Sequence, residues 1–555
     1  MKNIFNKLPT PCLPSPWPQA DEGRPPIIWS IAGTDSGGGA GLAADTRAAA
    51  ALGVHLCPVV AAVTAQNSLG VDAVFPQPPA QLQAQLQALA QDLRPRALKC
   101  GLLASTAAIA CVAQCIDDLR RSGPVDLVID PVLGATAGGA AFADAALIQA
   151  YREHLLPRAT LITPNRREAL RLLGLEEQAQ PTPLLAQALR ELGAQAVCIT
   201  GGDDIASTPG AEALSLDWLD AHVLQQPVQG WLALPRQPQA HHHGSGCTFA
   251  TAAAAALAQG YPLPDAVLLA KMLTWSALQN SYAAGAGAGP VKAIAAFAET
   301  ALAMPVMGFN DEIAPDAAIL ARWTQALLDD GADSTNADLG LYAITDKPER
   351  VAELAGLGLR QIQLRIKAQH KQSELALQYG IQSALESTLG RARGSSQLWI
   401  NDHWQLALDA GASALHLGQE DWAALKPSER RQILRSGAKL GLSSHSLWEL
   451  ARARGLRPHY IACGPVCATT TKDMPWLPQG PRNLAWWVRM AGRPVVAIGG
   501  LLAPEQVADC AAAGAAAACL VRALEPEDAT PTLGQNLAAF QAAWRQGLAR
   551  RQERD

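Results

Sequence analysis

Residues 27–53 read IIWSIAGTDSGGGAGLAADTRAAAALG, an apolar run, a glycine-rich turn and an alanine-rich stretch in direct succession. A short apolar run predicts a buried strand, and the alanine-rich stretch predicts a helix. The pattern returns five times before residue 203, in the runs VHLCPVVAAVTA, ALKCGLL, DLVIDPVL, TLITPN and AVCITGG. Strands that alternate with helices are typical of a mainly parallel sheet wrapped by helices. The first half is therefore predicted to be a doubly wound α/β domain.

A second alternating series occupies the last two fifths of the chain. Its eight apolar runs are GLYAIT, QIQLRIK, QLWIND, ALHLGQ, LGLSS, YIACGPV, PVVAIGG and AAACLVR. Eight such units predict a compact (β/α)8 TIM barrel. The two series share no internal repeat, which indicates a fusion of different folds. The predicted organisation is a loose arm at 1–25, the first domain at 26–298, a helical connector at 299–337, the barrel at 338–545 and a charged tail at 546–555.

The composition limits which ligands the protein is expected to bind and where in the cell it is expected to be. The 555 residues carry a formal net charge of -5 and only 17% charged side chains, so no basic stripe for nucleic acid or anionic membrane is indicated. No apolar stretch is long enough to span a bilayer, and prolines interrupt the first 20 residues before a secretory signal could form. The 11 cysteines are scattered singly, which predicts reduced thiols and a cytoplasmic protein. Small anionic molecules are the expected partners, and a homo-oligomer stays open.

The glycine-rich turn Gly33–Gly41 would let bare backbone approach a ligand. A dinucleotide-binding interpretation fails because the next strand, which ends near Val63 and Thr64, brings no acidic residue for a ribose. No GxxxxGK[ST] motif occurs in the chain. Taken alone, the turn is also compatible with a tight loop that binds nothing.

A second turn, His243-Gly-Ser-Gly-Cys-Thr248, leads into the alanine-rich stretch FATAAAAALAQG. The amide groups at the start of that predicted helix would surround an open pocket and stabilise an anion. Cys247 in the first turn would have a lowered pKa and could accept a proton, although a buried structural cysteine is the alternative. The three adjacent histidines at 241–243 point in different directions, which argues against a metal site.

These motifs, together with TAQNS (64–68), LKCGLL (98–103), DPV (130–132), TPNRRE (163–168) and TGGD (200–203), resemble the hydroxymethylpyrimidine/phosphomethylpyrimidine kinases of thiamine biosynthesis. The resemblance covers residues 27–290 and implies a ribokinase-like fold, ATP as co-substrate, Mg²⁺, and two successive phosphorylations. It places pyrimidine contacts at Gly33, Gln66 and Val132. The implied anion hole is Gly244, Ser245 and Gly246, with Cys247 as the base. Mg²⁺ and phosphate would be organised by Asn165 and Glu168, and nucleotide phosphates would lie near Asp130, Thr200, Gly202 and Lys271.

In the predicted barrel, polar and cationic residues collect where the apolar runs end, at the rim that carries chemistry in this fold. Two carboxylates with several cations and hydroxyls suit a Mg²⁺-bound diphosphate. The alternative is that polar residues merely follow strands into loops.

The same runs resemble thiamine-phosphate synthase across residues 340–525, through LYAITD, QLRIK, INDHWQLALDAGASALHLGQED, GLSSHS, GPVCATTTKD and AIGG. By that resemblance the hydroxymethylpyrimidine diphosphate contacts Gln363, Arg365, Lys367 and Asn401. Asp402 and Asp421 would hold Mg²⁺, and Ser443 and Lys472 would bind the diphosphate. The thiazole phosphate would be received by Thr469, Thr471, Gly499 and Gly500. The sequence departs from the family pattern at Ile366, His403, Ala468 and Arg522.

The resulting hypothesis is a bifunctional transferase whose first half makes the pyrimidine diphosphate and whose second half condenses it with thiazole phosphate. One alternative is an active kinase whose barrel is only a binding or scaffold module. Another is a pyridoxal-type kinase in the first half, against which the pair Cys247 and Gln66 argues.

Overall fold

The computed structural model describes residues 24–134, 143–176, 180–201, 211–223, 225–238, 240–329, 337–366, 374–389, 396–469, 478–524 and 532–553. The chain divides at Leu327 and Leu328 into two compact units. Each unit is described separately below.

The first unit is built on a ten-stranded sheet. Its strands are β1 Ile27–Gly33, β2 His55–Gln66, β3 Val71–Pro76, β4 Ala97–Cys100, β5 Asp126–Ile129, β6 Leu161–Ile162, β7 Val197–Ile199, β8 Leu214–Val223, β9 Gln226–Pro235 and β10 Val306–Met307. Their order is β10-β9-β8-β7-β6-β5-β4-β1-β2-β3. The six strands from β7 to β2 in this order are parallel, whereas β3 and β8 to β10 are antiparallel additions.

Helices cover both faces of this sheet. They are α1 Gly41–Ala51, α2 Pro79–Asp92, α3 Thr106–Arg121, α4 Ala145–Ala150, α5 Arg166–Leu173, α6 Thr182–Glu191, α7 Ser245–Ala258, α8 Leu263–Gln279 and α9 Ala317–Leu328. A π-helical turn at Tyr151–Leu155 and 3₁₀ turns at Leu156–Arg158, Ala295–Ala298 and Ala301–Ala303 complete the set. One face buries Trp29, Ile31 and Leu98 against α2 to α6. The alternate residues of the same strands, Ser30 and Lys99, bond to Asp45 of α1 on the other face, and Thr251 of α7 bonds to the same carboxylate.

The second unit is a closed barrel of eight parallel strands in chain order. They are β11 Gly340–Thr345, β12 Gln361–Leu364, β13 Gln397–Asn401, β14 Ala414–Leu417, β15 Lys439–Ser444, β16 Tyr460–Cys463, β17 Val495–Ala497 and β18 Ala517–Leu520. Its helices are α10 Pro348–Gly356, α11 Glu374–Leu389, α12 Trp404–Asp409, α13 Gln419–Ala424, α14 Pro427–Arg435, α15 Leu447–Leu456, α16 Gly480–Met490, α17 Pro504–Ala512 and α18 Leu533–Gln552, with a 3₁₀ turn at Arg522–Leu524. Tyr342, Trp399 and Tyr460 fill the interior.

The predicted fold class is confirmed, since the first unit is a doubly wound α/β domain and the second is a (β/α)8 barrel. All six apolar runs of the first series are parallel strands, and all eight runs of the second series are barrel strands. The antiparallel strands were not predicted. In the expected helical connector, Val306 and Met307 follow a proline and pair with β9 as a tenth strand. The domain limits given above otherwise stay predictions, and the expected charged tail is helical as far as Gln552.

Two features of the fold place the candidate sites. Most of the residues singled out by the sequence lie at or after the carboxyl ends of parallel strands, where α/β folds bind their ligands. The exceptions in the first unit are Gly244–Cys247, at the start of α7, and Lys271, within α8. Among the described residues, no helix combines the length and the apolar character that a membrane crossing requires.

Candidate active sites

In the first unit, the glycine-rich turn after β1 is organised by Asp35. Its carboxylate accepts hydrogen bonds from the backbone N–H groups of Gly37 (2.8 Å), Gly39 (2.9 Å) and Ala40 (2.7 Å). His243 Nε2 lies 2.9 Å from Asp35 Oδ2. Burial would raise the pKa of Asp35, but the hydrogen bonds from His243 and the turn outweigh it and lower that pKa below its ordinary value. Asp35 therefore stays ionised and holds the turn.

The two glycine-containing turns, far apart in sequence, pack directly on each other. A Cβ added to Gly39 would lie 2.3 Å from His243 Cδ2, so only a glycine leaves room for the imidazole. Gly244 has a φ of +84°, and a Cβ there would lie 2.2 Å from the Gly39 carbonyl oxygen. Gln66 Nε2 lies 3.2 Å from His243 Nε2. The structure thus brings Gln66, at the end of β2, together with both turns.

Cys247 lies in the first turn of α7, beside a buried group of charges. Lys99 Nζ is 3.0 Å from both carboxylate oxygens of Asp45 and 3.8 Å from Asp130 Oδ2. Asp45 also accepts from Ser30 Oγ at 2.5 Å and from Thr251 Oγ1 at 2.8 Å. The charges of Asp45, Cys247 and Asp130 outweigh the effect of burial and raise the pKa of Lys99 above its ordinary value, so a permanent cation lies under the candidate site.

The expected lowering of the Cys247 pKa is wrong for the protein without substrate. The side chain keeps some exposure, yet burial is the largest effect and raises the pKa of the thiol to about 12. Lys99 opposes this shift, whereas Asp130 and Asp45 add to it. The position at a helix N-terminus is as predicted, but the acidic neighbours could not be located from the sequence.

Burial likewise raises the pKa of Asp130, while Lys99 and a hydrogen bond with the Cys247 thiol act in the opposite direction. A Cβ on Gly246 would lie 3.8 Å from Asp130 Oδ1, so the carboxylate lies close to the predicted anion hole. Gly33 ends β1 and Val132 follows β5, at the same edge of the sheet.

The predicted phosphate residues fall into two groups. Asn165 and Glu168 form a capping box at the start of α5, with Asn165 Oδ1 accepting from the Glu168 N–H at 2.9 Å and Glu168 Oε2 accepting from the Asn165 N–H at 3.0 Å. Thr200 pairs with Asn165 in an isolated bridge.

Lys271, which stays a predicted contact of the nucleotide phosphates, forms a buried ion pair in which Nζ lies 2.8 Å from Asp217 Oδ2. Asp217 also accepts from the Gly201 N–H at 2.9 Å, so this pair supports the chain after β7. Gly202 lies outside the described residues.

In the barrel, a cavity of about 200 Å³ opens at the carboxyl ends of the strands. It brings together nine of the predicted residues, namely Gln363, Arg365, Asn401, Asp402, Asp421, Ser443, Thr469, Gly499 and Gly500. Lys367, Thr471 and Lys472 lie outside the described residues. The cavity also includes residues that were not predicted, among them His416, His445, Glu449 and Arg522.

Asp402 and Asp421 face each other in this cavity. Burial and the charge of Asp421 raise the pKa of Asp402 to about 6, and Arg365 opposes the shift. Asp402 also has a φ of +62°, which is an unfavourable conformation for a residue other than glycine. Such strained residues cluster at functional sites. Two repelling carboxylates suit Mg²⁺, which is usually held by one or two carboxylates together with substrate phosphates. No cluster of three or more His, Cys, Asp or Glu side chains that could hold a metal ion occurs among the described residues.

The backbone at Gly499 and Gly500 forms a cup against the chain after β16. Gly500 has a φ of +71°, and a Cβ there would lie 2.4 Å from the Ala468 carbonyl oxygen. Gly499 has a φ of +96°, and its Cβ would lie 2.8 Å from Pro465. Thr469 lines the same cavity. Exposed N–H groups next to a hydroxyl are suited to a phosphate.

Two of the departures from the family pattern are in contact. His403 Nε2 lies 3.0 Å from the Ile366 carbonyl oxygen, so the imidazole donates to this carbonyl and fixes the chain that leads from Arg365. The Ile366 side chain points to α11, because a Cβ on Gly380 would lie 3.5 Å from Ile366 Cδ1. Arg522 follows β18 and lines the cavity, where it adds a positive charge.

A chain of buried hydrogen bonds crosses the barrel beneath the cavity. Its contacts are Asn401 Oδ1 with Gln363 Nε2 (2.8 Å), Gln363 Oε1 with Tyr342 Oη (3.0 Å), Tyr342 Oη with Tyr460 Oη (2.7 Å), Tyr460 Oη with His416 Nδ1 (2.7 Å), and His416 Nε2 with Ser443 Oγ (3.0 Å). Burial, together with the charges of Arg365 and His445, lowers the pKa of His416 to about 3. The amides predicted to read the pyrimidine are thus connected to the serine predicted to bind the diphosphate.

Sequence reasoning missed several of these groups. Lys99 and His416 lie inside motifs that were recognised, LKCGLL and HLGQ, and a charged or polar residue within an apolar strand was the available signal. Asp45 carried no signal, because a carboxylate on a helix is ordinarily a surface group. Its partners come from β1, β4 and α7 and meet only in the folded chain.

Comparison with known families gives two matches in tandem. A family model described as phosphomethylpyrimidine kinase matches residues 35–292. A second, described as thiamine monophosphate synthase, matches residues 341–524. The first interval contains His243–Thr248 and the glycine-rich turn from Asp35 onward, and the second contains every residue that lines the barrel cavity.

The chain is also similar to individual proteins and to a solved structure. The hydroxymethylpyrimidine/phosphomethylpyrimidine kinase of Mycobacterium tuberculosis is 42% identical over 268 residues, which is 48% of this chain and 93% of the relative. A pyridoxal kinase structure from Bacillus subtilis covers 48% of this chain and 97% of its own, with 30% identity and a TM-score of 0.43. A probable thiamine biosynthetic bifunctional enzyme, chloroplastic, from Oryza sativa is 30% identical over 503 residues, which is 88% of this chain and 81% of the relative. The chain therefore belongs to the family of bifunctional thiamine biosynthetic enzymes, in which a phosphomethylpyrimidine kinase domain precedes a thiamine monophosphate synthase domain.

Proposed function

We propose that the first unit uses ATP to phosphorylate 4-amino-5-hydroxymethyl-2-methylpyrimidine and then its monophosphate, and that the barrel condenses the resulting diphosphate with thiazole phosphate to give thiamine phosphate. The observation that carries this proposal is the barrel cavity, which gathers amides, a carboxylate pair and a glycine cup in one space. These are the groups needed for a pyrimidine, a metal-bound diphosphate and a second phosphate. The kinase half supplies the diphosphate that the barrel consumes.

In the kinase half, Gln66 would contact the aminopyrimidine beside Gly33 and Val132. The N–H groups of Gly244, Ser245 and Gly246 would stabilise the transferring phosphoryl group. Asp130, Asn165, Glu168 and Thr200 lie at neighbouring strand ends, where nucleotide phosphates and their Mg²⁺ would be held. Phosphoryl transfer depends mainly on positioning and charge, and this arrangement provides both.

The proton of the attacking hydroxyl needs an acceptor. We assign the role of acceptor to Cys247, whose own thiol proton passes to Asp130 as the oxygen–phosphorus bond forms. Burial raises the pKa of both groups, so the Cys247 thiol keeps its proton in the free enzyme, and the raised pKa of Asp130 favours its acceptance of a proton. The thiol therefore passes its proton to Asp130 in the same step in which its sulfur accepts the proton of the hydroxyl. Lys99 remains charged and stabilises whichever of the two carries the negative charge.

In the barrel, Asp402 and Asp421 would hold Mg²⁺, which neutralises charge on the departing diphosphate when bound. Gln363 and Asn401 would orient the aminopyrimidine, and Arg365 and Ser443 would bind the diphosphate. Thr469, Gly499 and Gly500 would hold the thiazole phosphate. Lys367, Thr471 and Lys472 are assigned to the same ligands by their resemblance to the family motifs. No protein nucleophile is required, since the thiazole nitrogen captures the pyrimidine carbon as diphosphate leaves.

One assay tests the whole proposal. The purified protein is given hydroxymethylpyrimidine, ATP, Mg²⁺ and thiazole phosphate, and thiamine phosphate is measured. A parallel reaction omits ATP and supplies the pyrimidine diphosphate directly. Product in both reactions is expected. Product in neither, with the pyrimidine diphosphate accumulating in the first, would show a kinase with a non-catalytic barrel. Pyridoxal in place of hydroxymethylpyrimidine serves as the control acceptor.

We also propose a reducing compartment, the cytoplasm, for this protein. All ten cysteines in the described part of the chain are free thiols, which is the usual state of cysteine in such compartments. Fractionation of the native host with detection of the intact chain would test the location.

A further inference from the structure

The buried hydrogen-bond chain beneath the barrel cavity has a direction. Gln363 Nε2 donates to Asn401, so Gln363 Oε1 must accept the hydrogen of Tyr342. The Tyr342 oxygen can then only accept, and the hydrogen of Tyr460 points to it. A hydroxyl has a single hydrogen, so each step fixes the next one.

The same reasoning continues to the other end of the chain. Because the hydrogen of Tyr460 is used, its oxygen accepts from His416 Nδ1, which must carry the proton. His416 is 5% exposed and both of its ring nitrogens face uncharged hydroxyls, so an imidazolium there would lack a counter-charge. The neutral ring leaves Nε2 as an acceptor for the hydrogen of Ser443. In this direction, Ser443 presents only lone pairs to the cavity.

A diphosphate also presents only acceptors. Ser443 can bind it only when its hydrogen points into the cavity, and His416 Nε2 must then donate to the serine oxygen. The proton on His416 therefore moves to Nε2, Tyr460 donates to Nδ1, and Tyr342 donates to Tyr460. The same heavy-atom positions serve both directions.

At the far end, the reversed chain requires a donor facing the Tyr342 oxygen. A 180° rotation of the Gln363 amide supplies it and turns Gln363 Oε1 towards Asn401, whose amide rotates in the same way. The donors and acceptors that these two amides offer to a pyrimidine are thereby exchanged. Every group between the amides and the serine is at least nine-tenths buried, so bulk water cannot easily break the chain into independent parts.

We propose that diphosphate binding at Ser443 reverses this chain, and that Tyr342, Tyr460 and His416 are positioning residues that couple the diphosphate site to the amides that read the pyrimidine. The inference rests on the proposed function of the barrel, in which Ser443 binds diphosphate. It explains how one site can favour the pyrimidine that carries a leaving group over the free pyrimidine.

The test is the tautomer of His416, measured by nitrogen NMR in the full chain with ¹⁵N-labelled histidine. The His416→Gln variant assigns the signal. His459, whose ring contacts Trp399 and is not part of the hydrogen-bond chain, is the internal control. Without ligand, the proton is expected on Nδ1. With Mg²⁺ and pyrophosphate it is expected on Nε2, and the His459 signals should not change tautomer. In Ser443→Ala, pyrophosphate should leave His416 unchanged.

A second measurement addresses the coupling. Calorimetry in a Gln66→Ala background, which removes the proposed pyrimidine contact of the kinase unit, gives the affinity of the barrel for hydroxymethylpyrimidine with and without pyrophosphate. About a fivefold or larger difference is expected, as for coupled sites in general. Tyr342→Phe should reduce that factor to about one while the barrel stays folded, because it removes one link. Tyr379→Phe, at an exposed tyrosine of α11, should leave the coupling factor unchanged.

The outcomes separate the two proposals. Pyrophosphate that binds at the barrel without changing the His416 tautomer overturns the reversal and leaves the synthase function standing. A protein in which neither pyrophosphate nor the pyrimidine diphosphate binds the barrel overturns the proposed function and the reversal together. A coupling factor that survives in Tyr342→Phe also overturns the positioning role.

Discussion

The Cys247 sulfur lies between a permanent cation and a protonatable carboxylate, and this arrangement makes a specific prediction. Cys247→Ala should lower kcat for both phosphorylations by about 100-fold or more, the usual range for loss of a proton acceptor. Condensation from supplied pyrimidine diphosphate should be unchanged. Cys198→Ala, at a buried cysteine of β7, is the matched control. Equal loss of both activities in Cys247→Ala would indicate general damage instead.

Lys99 offers a second test with a stability readout. Lys99→Met leaves the Asp45 carboxylate buried without its cation, which should destabilise the kinase unit by about 3–5 kcal/mol in urea unfolding. Adding Asp45→Asn removes the unpaired charge and should recover part of that loss. Kinase activity should stay low in the double variant, because Cys247 and Asp130 still lack the cation. A double variant with normal kcat would show that Lys99 acts only through stability.

Residue identity was the part of the site that the sequence predicted best. Gln66, Cys247 and the barrel residues Gln363, Asn401 and Asp402 were selected from strand-end positions and motifs. The structure places the three barrel residues in one cavity, Gln66 beside His243 and Cys247 in the first turn of α7. Ionisation was predicted poorly. Burial raises the Cys247 pKa, Lys99 opposes the shift, and Asp130 and Asp45 add to it. These neighbours come from other parts of the chain and leave no local pattern in the sequence.

A substitution that adds one methyl group tests whether the glycine cup after β17 binds a phosphate. Gly500→Ala would put a Cβ against two carbonyl oxygens, at 2.4 Å from Ala468 and 2.6 Å from Cys467. The KM for thiazole phosphate should rise about tenfold or more, with a smaller change for the pyrimidine diphosphate. Gly358→Ala has a similar positive φ of +84° but open space around it, so it controls for backbone strain. Equal effects of the two substitutions would contradict a phosphate cup.

The carboxylates that follow β13 and β14 predict that the stability of the barrel, and its stabilisation by Mg²⁺, depend on pH. The Asp402 pKa of about 6 lies above its ordinary value of 3.8, so the native barrel without metal binds an extra proton between these values and loses stability as pH rises through them. Mg²⁺ needs the ionised form. The rise in melting temperature caused by Mg²⁺ should therefore be large at pH 7.5 and small at pH 5. The same rise at both pH values would remove Asp402 from the metal site.

Element types were predictable where the chain repeats one pattern. Every parallel strand follows from an apolar run bounded by turn residues, and the barrel follows from the count of eight. The antiparallel strands β8 and β9 were missed because they lack the continuous apolar runs that mark the parallel strands. Polar and apolar residues alternate at the start of β8, in LSLDW, which is the pattern of a half-buried strand. Val306 and Met307 form too short an apolar run to predict a strand, and they are recognised as one only by their pairing with β9.

For the whole molecule, two separate cores predict two separate unfolding events. Each unit has its own buried cluster, so calorimetry of the full chain should resolve two transitions. A non-hydrolysable ATP analogue should raise the midpoint temperature of only one transition, and Mg²⁺ with pyrophosphate should raise mainly that of the other. Asp402→Asn should abolish the Mg²⁺-dependent part of the second shift and leave the ATP-analogue shift unchanged. A single transition that responds to both ligands would mean that the units unfold cooperatively.

The two sheets also differ in how they end. The barrel closes on itself, so none of its eight strands offers unpaired backbone groups. The ten-stranded sheet stops at β10, which is only two residues long, and at β3, six residues long with Phe75 57% exposed. An open strand with an exposed aromatic side chain is a template for pairing with another chain. In concentrated or partly unfolded samples, aggregation of this enzyme should therefore begin at its kinase half, and a charged residue at Phe75 is the simplest way to make the protein easier to handle.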